Sequence, residues 1–348
     1  MTPTTNGAAI FNEFPQLLVN QNTIAYGANS IDIENAALGG GILAKTLYLS
    51  IDPHLRRWMN EGDTSTGPSF ELGKPIWGIG LALVLRSETN SVRQGDIIYV
   101  PTYPFQEYNI LNADTPLRVI KPDPEVPLSA YLTVLGMPGQ TAFYGLELIG
   151  APKSGETIYV SAGAGAVGSL VAQLAKAKGL KVIASAGSNE KVDIMKQMGI
   201  DVAFNYKTDQ VEDVLAREGP IDIYWDHIGG PQLEAAIGAC NLYARIIICG
   251  AIPAFNNAPP YHVKNLAEIL YKRLRVQGFM YWEAEVAIEG HSNNPLKFLN
   301  TLTPLVKNGK ILWKEQAFSG IQSVNEAIVA ALTGNNTGKV IVKVADPN

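Results

Sequence analysis

Gly163, Gly165 and Gly168 stand in an uninterrupted G-x-G-x-x-G, with Ala164, Ala166 and Val167 between them. Glycines at these places permit a tight turn, let the backbone approach a pyrophosphate and let a helix pack closely on the strand before it. The chemistry implied is capture of a dinucleotide's phosphates at a helix amino terminus, where N–H groups and the helix dipole attract negative charge. The letters alone also fit a glycine-rich turn with no ligand. Context narrows the choice: T-I-Y-V-S precedes the motif, and Val167, Val171 and Leu174 recur on one face of the segment that follows, as a strand, turn and helix require.

The next strand decides between the two nicotinamide dinucleotides. An NAD site needs Asp or Glu about 20 residues past the glycines to accept from the ribose 2′-hydroxyl. Here the segment reads Ser185, Ala186, Gly187, Ser188, Asn189, Glu190, Lys191, with small residues at the acid's place and a lysine one turn into the next helix. A lysine that reaches a 2′-phosphate makes a charge-assisted contact of about 1.5–3 kcal/mol, roughly ten- to a hundredfold in preference. NADPH is therefore the expected cofactor; the plainer reading is a solvated helix lysine beside Glu190. No metal is expected. The two cysteines, Cys240 and Cys249, and the histidines His54, His227, His262 and His291 share no ligand spacing, and the β-rich region offers His54 alone. Redox work then falls to the nicotinamide, with the protein supplying orientation and electrostatics.

Elements must position these groups, and 348 residues are enough for roughly two domains. Apolar residues make up 47% and charged residues 17%, which describes an ordered globular α/β protein with large cores. The net charge of −5, from 27 basic and 32 acidic residues without long like-charge blocks, leaves no footprint for nucleic acid or an anionic membrane, so a small-molecule partner is expected. Residues 42–112 read as short apolar runs separated by Gly, Pro, Asn and Asp, the mark of strands and turns. From Leu128 the texture changes: Leu128, Tyr131, Leu132 and Leu135 follow helical spacing, and Gly136, Met137, Pro138 and Gly139 break it before a second apolar segment at 141–149. Strand-like runs follow at 157–161, 181–185, 202–205, 221–226, 245–250 and 274–279 with helical patterns between them, which predicts a doubly wound parallel sheet. Residues 311–345 return to strand, helix, strand; the last run, K-V-I-V-K-V, reads as an edge strand that completes the first domain. The start of the chain lacks a basic segment and an apolar core, the cysteines are few and no tag closes the chain, so the expected location is cytoplasmic.

Several longer runs, in order, carry a resemblance over nearly the whole chain: LYLSIDPHLRRWM at 47–59, GMPGQTAFYGL at 136–146, SAGAGAVGS at 161–169, AGSNEKV at 186–192, FNYKT at 204–208, DHIGG at 226–230, CGAIPAFN at 249–256 and TGNNTGKVIVKV at 333–344. The sequence resembles the zinc-independent medium-chain dehydrogenase/reductases, in the family of prostaglandin reductases and alkenal double-bond reductases. The resemblance implies a GroES-like β-rich domain from residues 1–125 and 310–348 and a Rossmann domain from 126–309. By position it gives Gly163, Gly165, Ala166, Val167 and Gly168 to the pyrophosphate, and Lys191 and Tyr206 to the 2′-phosphate and adenosine side. His227, Cys249, Gly250, Ala251, Ile252, Phe255, Phe279, Met280 and Tyr281 fall on the nicotinamide half, reached by Asn336 from the last helix–strand turn. Tyr206 as edge packing and Asn336 as a turn former are the plain alternatives.

Three positions depart from the family pattern. His54 stands where relatives commonly have tyrosine after Asp-Pro, Phe255 where they often have tyrosine, and His227 where they usually have asparagine. His54 is the candidate catalytic proton donor, since imidazole titrates near neutral pH; a loop histidine packed near Arg56 and Trp58 is the alternative. Phe255 has no proton to give. The expected reaction is reduction of an α,β-unsaturated ketone or aldehyde, with hydride to the β-carbon and a proton to the α-carbon. Tyr103, Phe105, Phe255, Tyr261 and Tyr281 are candidates for an apolar substrate wall, with core packing the competing reading. NADPH-dependent quinone reduction and a non-catalytic NADPH-binding regulator stay open, and a homodimer through the sixth strand is an expectation by resemblance.

Overall fold

The computed structural model describes residues 3–62, 67–256, 259–290 and 295–347. The chain forms two compact units, Met1–Leu132 with Glu315–Asn348, and Thr133–Lys314. In the first, β1 (Thr4–Phe11) and β2 (Ile24–Ile31) pair antiparallel, and β3 (Ile42–Ile51), β4 (Trp77–Ser87), β5 (Ile97–Pro104), β6 (Tyr108–Leu111) and β7 (Arg118–Ile120) build a second sheet. β3 and β4 are buried along most of their length rather than on alternate residues, as strands covered on both faces must be. A 3-10 turn, Pro53–Met59, follows β3, and a second one, Leu128–Leu132, ends the segment. That second turn is what the helical spacing at 128–135 becomes. The Gly136–Gly139 run is not a break: Pro138 sits in the first turn of α1 (Met137–Gly145), where its missing N–H costs no helical hydrogen bond.

The second unit holds the parallel sheet expected from the six apolar runs: β8 (Thr157–Val160), β9 (Lys181–Ala186), β10 (Val202–Asn205), β11 (Ile221–Asp226), β12 (Cys240–Ile248) and β13 (Arg275–Gly278), in the order β10-β9-β8-β11-β12-β13. Its helices are α1 together with α2 (Gly168–Ala177), α3 (Asn189–Gln197), α4 (Val211–Glu218), α5 (Gly230–Ala239), α6 (Ile252–Phe255), α7 (Ala267–Lys272), α8 (Tyr281–Glu289) and α9 (Leu296–Lys307). The order reverses between β8 and β11, the topological switch of a Rossmann sheet, where loops at the carboxyl ends part and leave room for a ligand. Tyr159 of β8 and Tyr224 of β11 stack beneath that point, 5.0 Å apart and 13° from parallel. β13 forms an edge with its residues exposed.

The chain then returns to the first unit with β14 (Glu315–Ser319), α10 (Val324–Thr333) and β15 (Lys339–Lys343). The larger sheet of this unit runs β14-β15-β3-β4-β5-β7, with β6 on β3. β15 is therefore an interior strand and not the edge its sequence suggested; β14, parallel to it, takes the edge. A buried ion pair closes this junction. Lys339 Nζ lies 3.0 Å from Asp52 Oδ1, the two residues are 3% and 5% exposed, and the ammonium also donates to the carbonyls of Ile51 and Val340. Ser50 Oγ donates to Asp52 Oδ2 at 2.5 Å. Burial pushes the Asp52 carboxyl up, but the charge of Lys339 and these hydrogen bonds outweigh it and leave the group below its ordinary range. Removing one partner strands a buried charge, so Lys339→Met is expected to cost about 3–5 kcal/mol, read as a lower urea midpoint at an unchanged slope; Asp52→Asn added to it should restore part of the loss.

Candidate dinucleotide site and the His54 region

The loops after β8, β9, β10, β11 and β12 carry most of the residues the sequence singled out. Between β8 and α2 the chain turns at Ala162, with φ at +52°. Gly163 N–H donates to Ser185 O at 2.8 Å and Gly165 N–H to Ala162 O at 2.9 Å. A Cβ on Gly168 would stand 2.4 Å from Ala162 O, and one on Gly163 would stand 2.7 Å from Ala184 Cβ and 2.9 Å from Met195 Sδ. The first and last glycines are thus enforced by close approach, while Gly165 is tight against Ala162 O at 3.1 Å. Among the described residues no backbone carbonyl accepts from the N–H of Ala166 or Val167. These donors at the start of a ten-residue helix fit a pyrophosphate. Beneath them Tyr159 Oη donates to Gln232 Oε1 at 2.9 Å and lies 2.9 Å from Ser185 Oγ, which leaves the buried polar groups under the turn satisfied.

At the end of β9, Ser188 caps α3, its Oγ accepting from Lys191 N–H at 3.3 Å. Tyr206 N–H donates to Ala186 O at 3.1 Å, and a Cβ on Gly187 would meet Tyr206 Oη at 3.1 Å and Lys207 Cε at 3.4 Å. Lys191 is half-buried; burial lowers the proton affinity of its ammonium, Lys207 lowers it further and Glu190 opposes. Two lysines and a tyrosine hydroxyl thus gather where an NAD site has a carboxylate, a surface suited to a phosphate dianion. Lys207 was not picked out from the sequence. Its one signal is its place beside Tyr206 in F-N-Y-K-T, and its role follows from the parallel pairing of β9 with β10.

On the other side, Asp226 O accepts from the N–H groups of Cys249 and Gly250, at 2.9 and 3.1 Å, and His227 O from Ile252 N–H at 3.0 Å. Asp226 Oδ1 takes Tyr224 Oη and the N–H groups of Ile228 and Gly229, each at 2.8 Å. Burial still holds this carboxyl above its ordinary range. Burial also pushes the Cys249 thiol up to about 12, so it is no thiolate. The loop 249–252 and α6 present Ile252 and Phe255 half-buried; Phe279 meets Trp225 edge-on at 5.8 Å, Tyr281 is half-buried and Met280 exposed. Tyr261 is exposed, its hydroxyl donating to Glu234 of α5 at 3.2 Å.

Three expectations need correction. His227 has no ring nitrogen to offer a cofactor: Nε2 accepts from Trp225 Nε1–H at 3.1 Å, which leaves the proton on Nδ1, 2.7 Å from Ser161 O. Tyr103 and Phe105 are 0% exposed in the core of the first unit. The Tyr103 hydroxyl pairs with Thr46 and burial pushes it up to about 12, while Phe105 packs over Gly78; neither is open to a substrate. Asn336 donates one side-chain amide hydrogen to Gly338 O at 2.8 Å within its own loop.

His54 follows Asp52 and Pro53 at the start of the 3-10 turn, half-buried, with its ring edge-on to Trp58 at 5.0 Å. Trp58 in turn lies 4.1 Å from Trp77, an aromatic neighbour the sequence reading did not include. Burial lowers the proton affinity of the imidazole, Asp52 opposes and Lys339 adds to the lowering, so the ring is neutral at pH 7. Arg56, fully buried, donates to the carbonyls of Pro15 and Leu17 and to Asn60 Oδ1, and so holds the chain before β2. Among the described residues no group of three or more His, Cys, Asp or Glu could hold a metal ion, and no helix is long and apolar enough to cross a membrane. His291 lies outside the described residues.

Fold and loops together define a medium-chain dehydrogenase/reductase. Residues 166–289 match the family model described as zinc-binding dehydrogenase, and residues 30–119 the one described as N-terminal domain of oxidoreductase. The chain is 40% identical over 308 residues to the NADP(+)-dependent 2-alkenal reductase of Nicotiana tabacum, covering 87% of each, and 37% identical over 345 residues to the (+)-pulegone reductase of Mentha piperita, covering 98% of each. A solved structure of CurA with NADPH from Vibrio vulnificus superposes with a TM-score of 0.86 at 28% identity, over 98% of this chain and 100% of that one. The chain belongs to the zinc-independent enone and alkenal reductase family of medium-chain dehydrogenase/reductases.

The His227 bonds set a pH dependence. Burial pushes the ring down to about 4 from an ordinary 6.5. Between those values the unfolded chain binds a proton that the folded one refuses, so this contribution is whole above pH 6.5 and is lost as the pH falls to about 4. The loss is about 3 kcal/mol. His227→Asn should show a shallower fall in unfolding free energy over that window in urea titrations at each pH; parallel curves for the two proteins would refute the assignment.

Proposed function

We propose that this protein uses NADPH to reduce the C=C bond of α,β-unsaturated ketones or aldehydes. The observation that carries the cofactor assignment is the gathering of Lys191, which follows β9, with Tyr206 and Lys207, which follow β10, around small residues, Ala186 to Ser188, at the place where an NAD site has its carboxylate. The tobacco relative's name, an NADP(+)-dependent 2-alkenal reductase, supports both cofactor and reaction. The N–H groups of Ala166 and Val167 would hold the pyrophosphate at the start of α2, and the two lysines with Tyr206 the 2′-phosphate. Residues 249–252 with Phe255, Phe279, Met280 and Tyr281 would line the nicotinamide half; Phe255 offers apolar shape and no proton. NADPH held there would supply a hydride for the substrate's β-carbon.

With 4-phenyl-3-buten-2-one the expected product, identified by mass spectrometry and NMR, is the saturated ketone, formed with NADPH in preference to NADH. Each charge-assisted contact is worth roughly ten- to a hundredfold, so Lys191→Ala with Lys207→Ala should erase that preference through KM. An allylic alcohol as product, or turnover with quinones alone, overturns the reading.

The proton for the α-carbon is assigned to His54 in its imidazolium form, which the lowered proton affinity of the ring makes a minor population at pH 7 but a stronger acid. A positioned acid is worth about a hundredfold or more. His54→Phe should lower kcat by about that factor at saturating enone, and His54→Tyr, which restores an O–H, should recover most of it. An unchanged kcat in His54→Phe removes the residue from the mechanism and leaves protonation to water.

A further inference from the structure

Ser161 is the last residue before the turn that opens the glycine loop, and His227 is the first after β11. Four hydrogen bonds join these two strand ends. Ser161 N–H donates to Trp225 O at 3.1 Å, Ser161 Oγ accepts from His227 N–H at 2.8 Å and itself lies 3.3 Å from Trp225 O, and His227 Nδ1–H reaches Ser161 O at 2.7 Å. The other ring nitrogen takes the indole N–H of Trp225, a fully buried side chain. From there the network spreads outward. His227 O holds Ile252 N–H at the start of α6, Asp226 O holds the N–H groups of Cys249 and Gly250, and Trp225 packs on Phe279. The imidazole itself joins the loop assigned to the pyrophosphate to Trp225 and, through Trp225, to Phe279 on the nicotinamide half, while residues 249–252 hang on the main-chain carbonyls of Asp226 and His227.

We propose that His227 is a positioning residue for the dinucleotide, its imidazole fixing the pyrophosphate turn and, through Trp225, the Phe279 side of the nicotinamide half in one register so that a single dinucleotide spans both. This deepens the NADPH reading above and rests on it. The ring geometry explains why histidine serves here. Imidazole carries a donor and an acceptor on opposite sides, so it spans Ser161 O and Trp225 Nε1 together, whereas a shorter amide at this place reaches one and leaves the other buried and unmatched. The adenosine side, built by Lys191, Tyr206 and Lys207 on β9 and β10, has no bond to His227 and should not depend on it.

Binding of NADPH and of adenosine 2′-phosphate, which lacks the 5′-phosphate and so occupies the adenosine side alone, separates positioning from general stability. Dissociation constants come from nicotinamide fluorescence and calorimetry, on wild type, His227→Asn and His227→Phe, each checked by thermal unfolding. With a neutral hydrogen bond worth about 0.5–1.5 kcal/mol and an orphaned buried group more, NADPH should weaken about three- to tenfold in His227→Asn and about a hundredfold in His227→Phe. The adenosine 2′-phosphate affinity should move less than about twofold, and in the wild-type apoprotein the Trp225 indole proton should resonate as a bonded donor and shift in both variants. Folded variants with unchanged NADPH affinity, or with both ligands weakened alike, overturn the proposal. A wild-type protein that binds adenosine 2′-phosphate but not NADPH overturns it too, and one that binds neither overturns the cofactor reading from which it starts.

Discussion

Parallel pairing of β8 with β9 on one side and β11 on the other is the constraint on which the rest of the nucleotide unit depends. Because the order reverses there, the chain leaves β8 and β11 in opposite directions, and backbone donors at both ends are free to face outward. Register fixes which residues stand at those ends. Ile223 lies opposite Ile158 and Trp225 opposite Val160, so Ser161 comes level with Asp226 and His227, where their hydrogen bonds can form. A slip of one residue would turn every side chain to the other face of the sheet, and would bury the glycine turn against the helices.

The polar groups under this point are held to a strict standard because water does not reach them. Tyr159, Tyr224, Ser185, Gln232, Ser161 and Asp226 are all buried, and each is hydrogen-bonded. An orphan among them would cost about 1–3 kcal/mol. Satisfied, they form a stiff base for loops that carry few apolar contacts of their own, such as the four-residue α6, which has no buried residue. The same burial that makes the network costly to break keeps His227 neutral, and neutrality is what allows one nitrogen to accept while the other donates.

What the sequence made legible was local. The six apolar runs, the strand before the glycines and the small residues at the end of β9 are read from neighbours within a few positions, and the sheet contains all of them. Contacts between distant segments were not. Lys207 gains its place because β10 pairs beside β9, and β15 is interior because β14, about 20 residues earlier, runs parallel to it. Tyr103 and Phe105 are candidates for a substrate wall by residue type, yet Thr46, far back in the chain, pairs with the Tyr103 hydroxyl and Phe105 packs over Gly78. His227 resembled a ligand-facing group because its neighbours Gly229 and Gly230 belong to a loop motif. Only the positions of Ser161 and Trp225 show that its ring is fully engaged.

The two histidines at non-standard positions illustrate how one residue type serves different ends according to its surroundings. His227 has both nitrogens committed and no route to solvent, so its protonation would break a bond; its chemistry is geometric. His54 has a buried carboxylate and a buried ammonium nearby, with opposing effects on its charge, and touches Trp58 only through its ring edge. The ion pair of Asp52 with Lys339 ties β15 to the end of β3, two residues before His54. The carboxylate is satisfied by Ser50 and Lys339, so it acts on the imidazole through space and not by direct orientation. The proton affinity of an imidazole placed this way rises or falls as the balance between Asp52 and Lys339 shifts, which makes the C-terminal strand, remote in sequence, part of the electrostatic setting of that side chain.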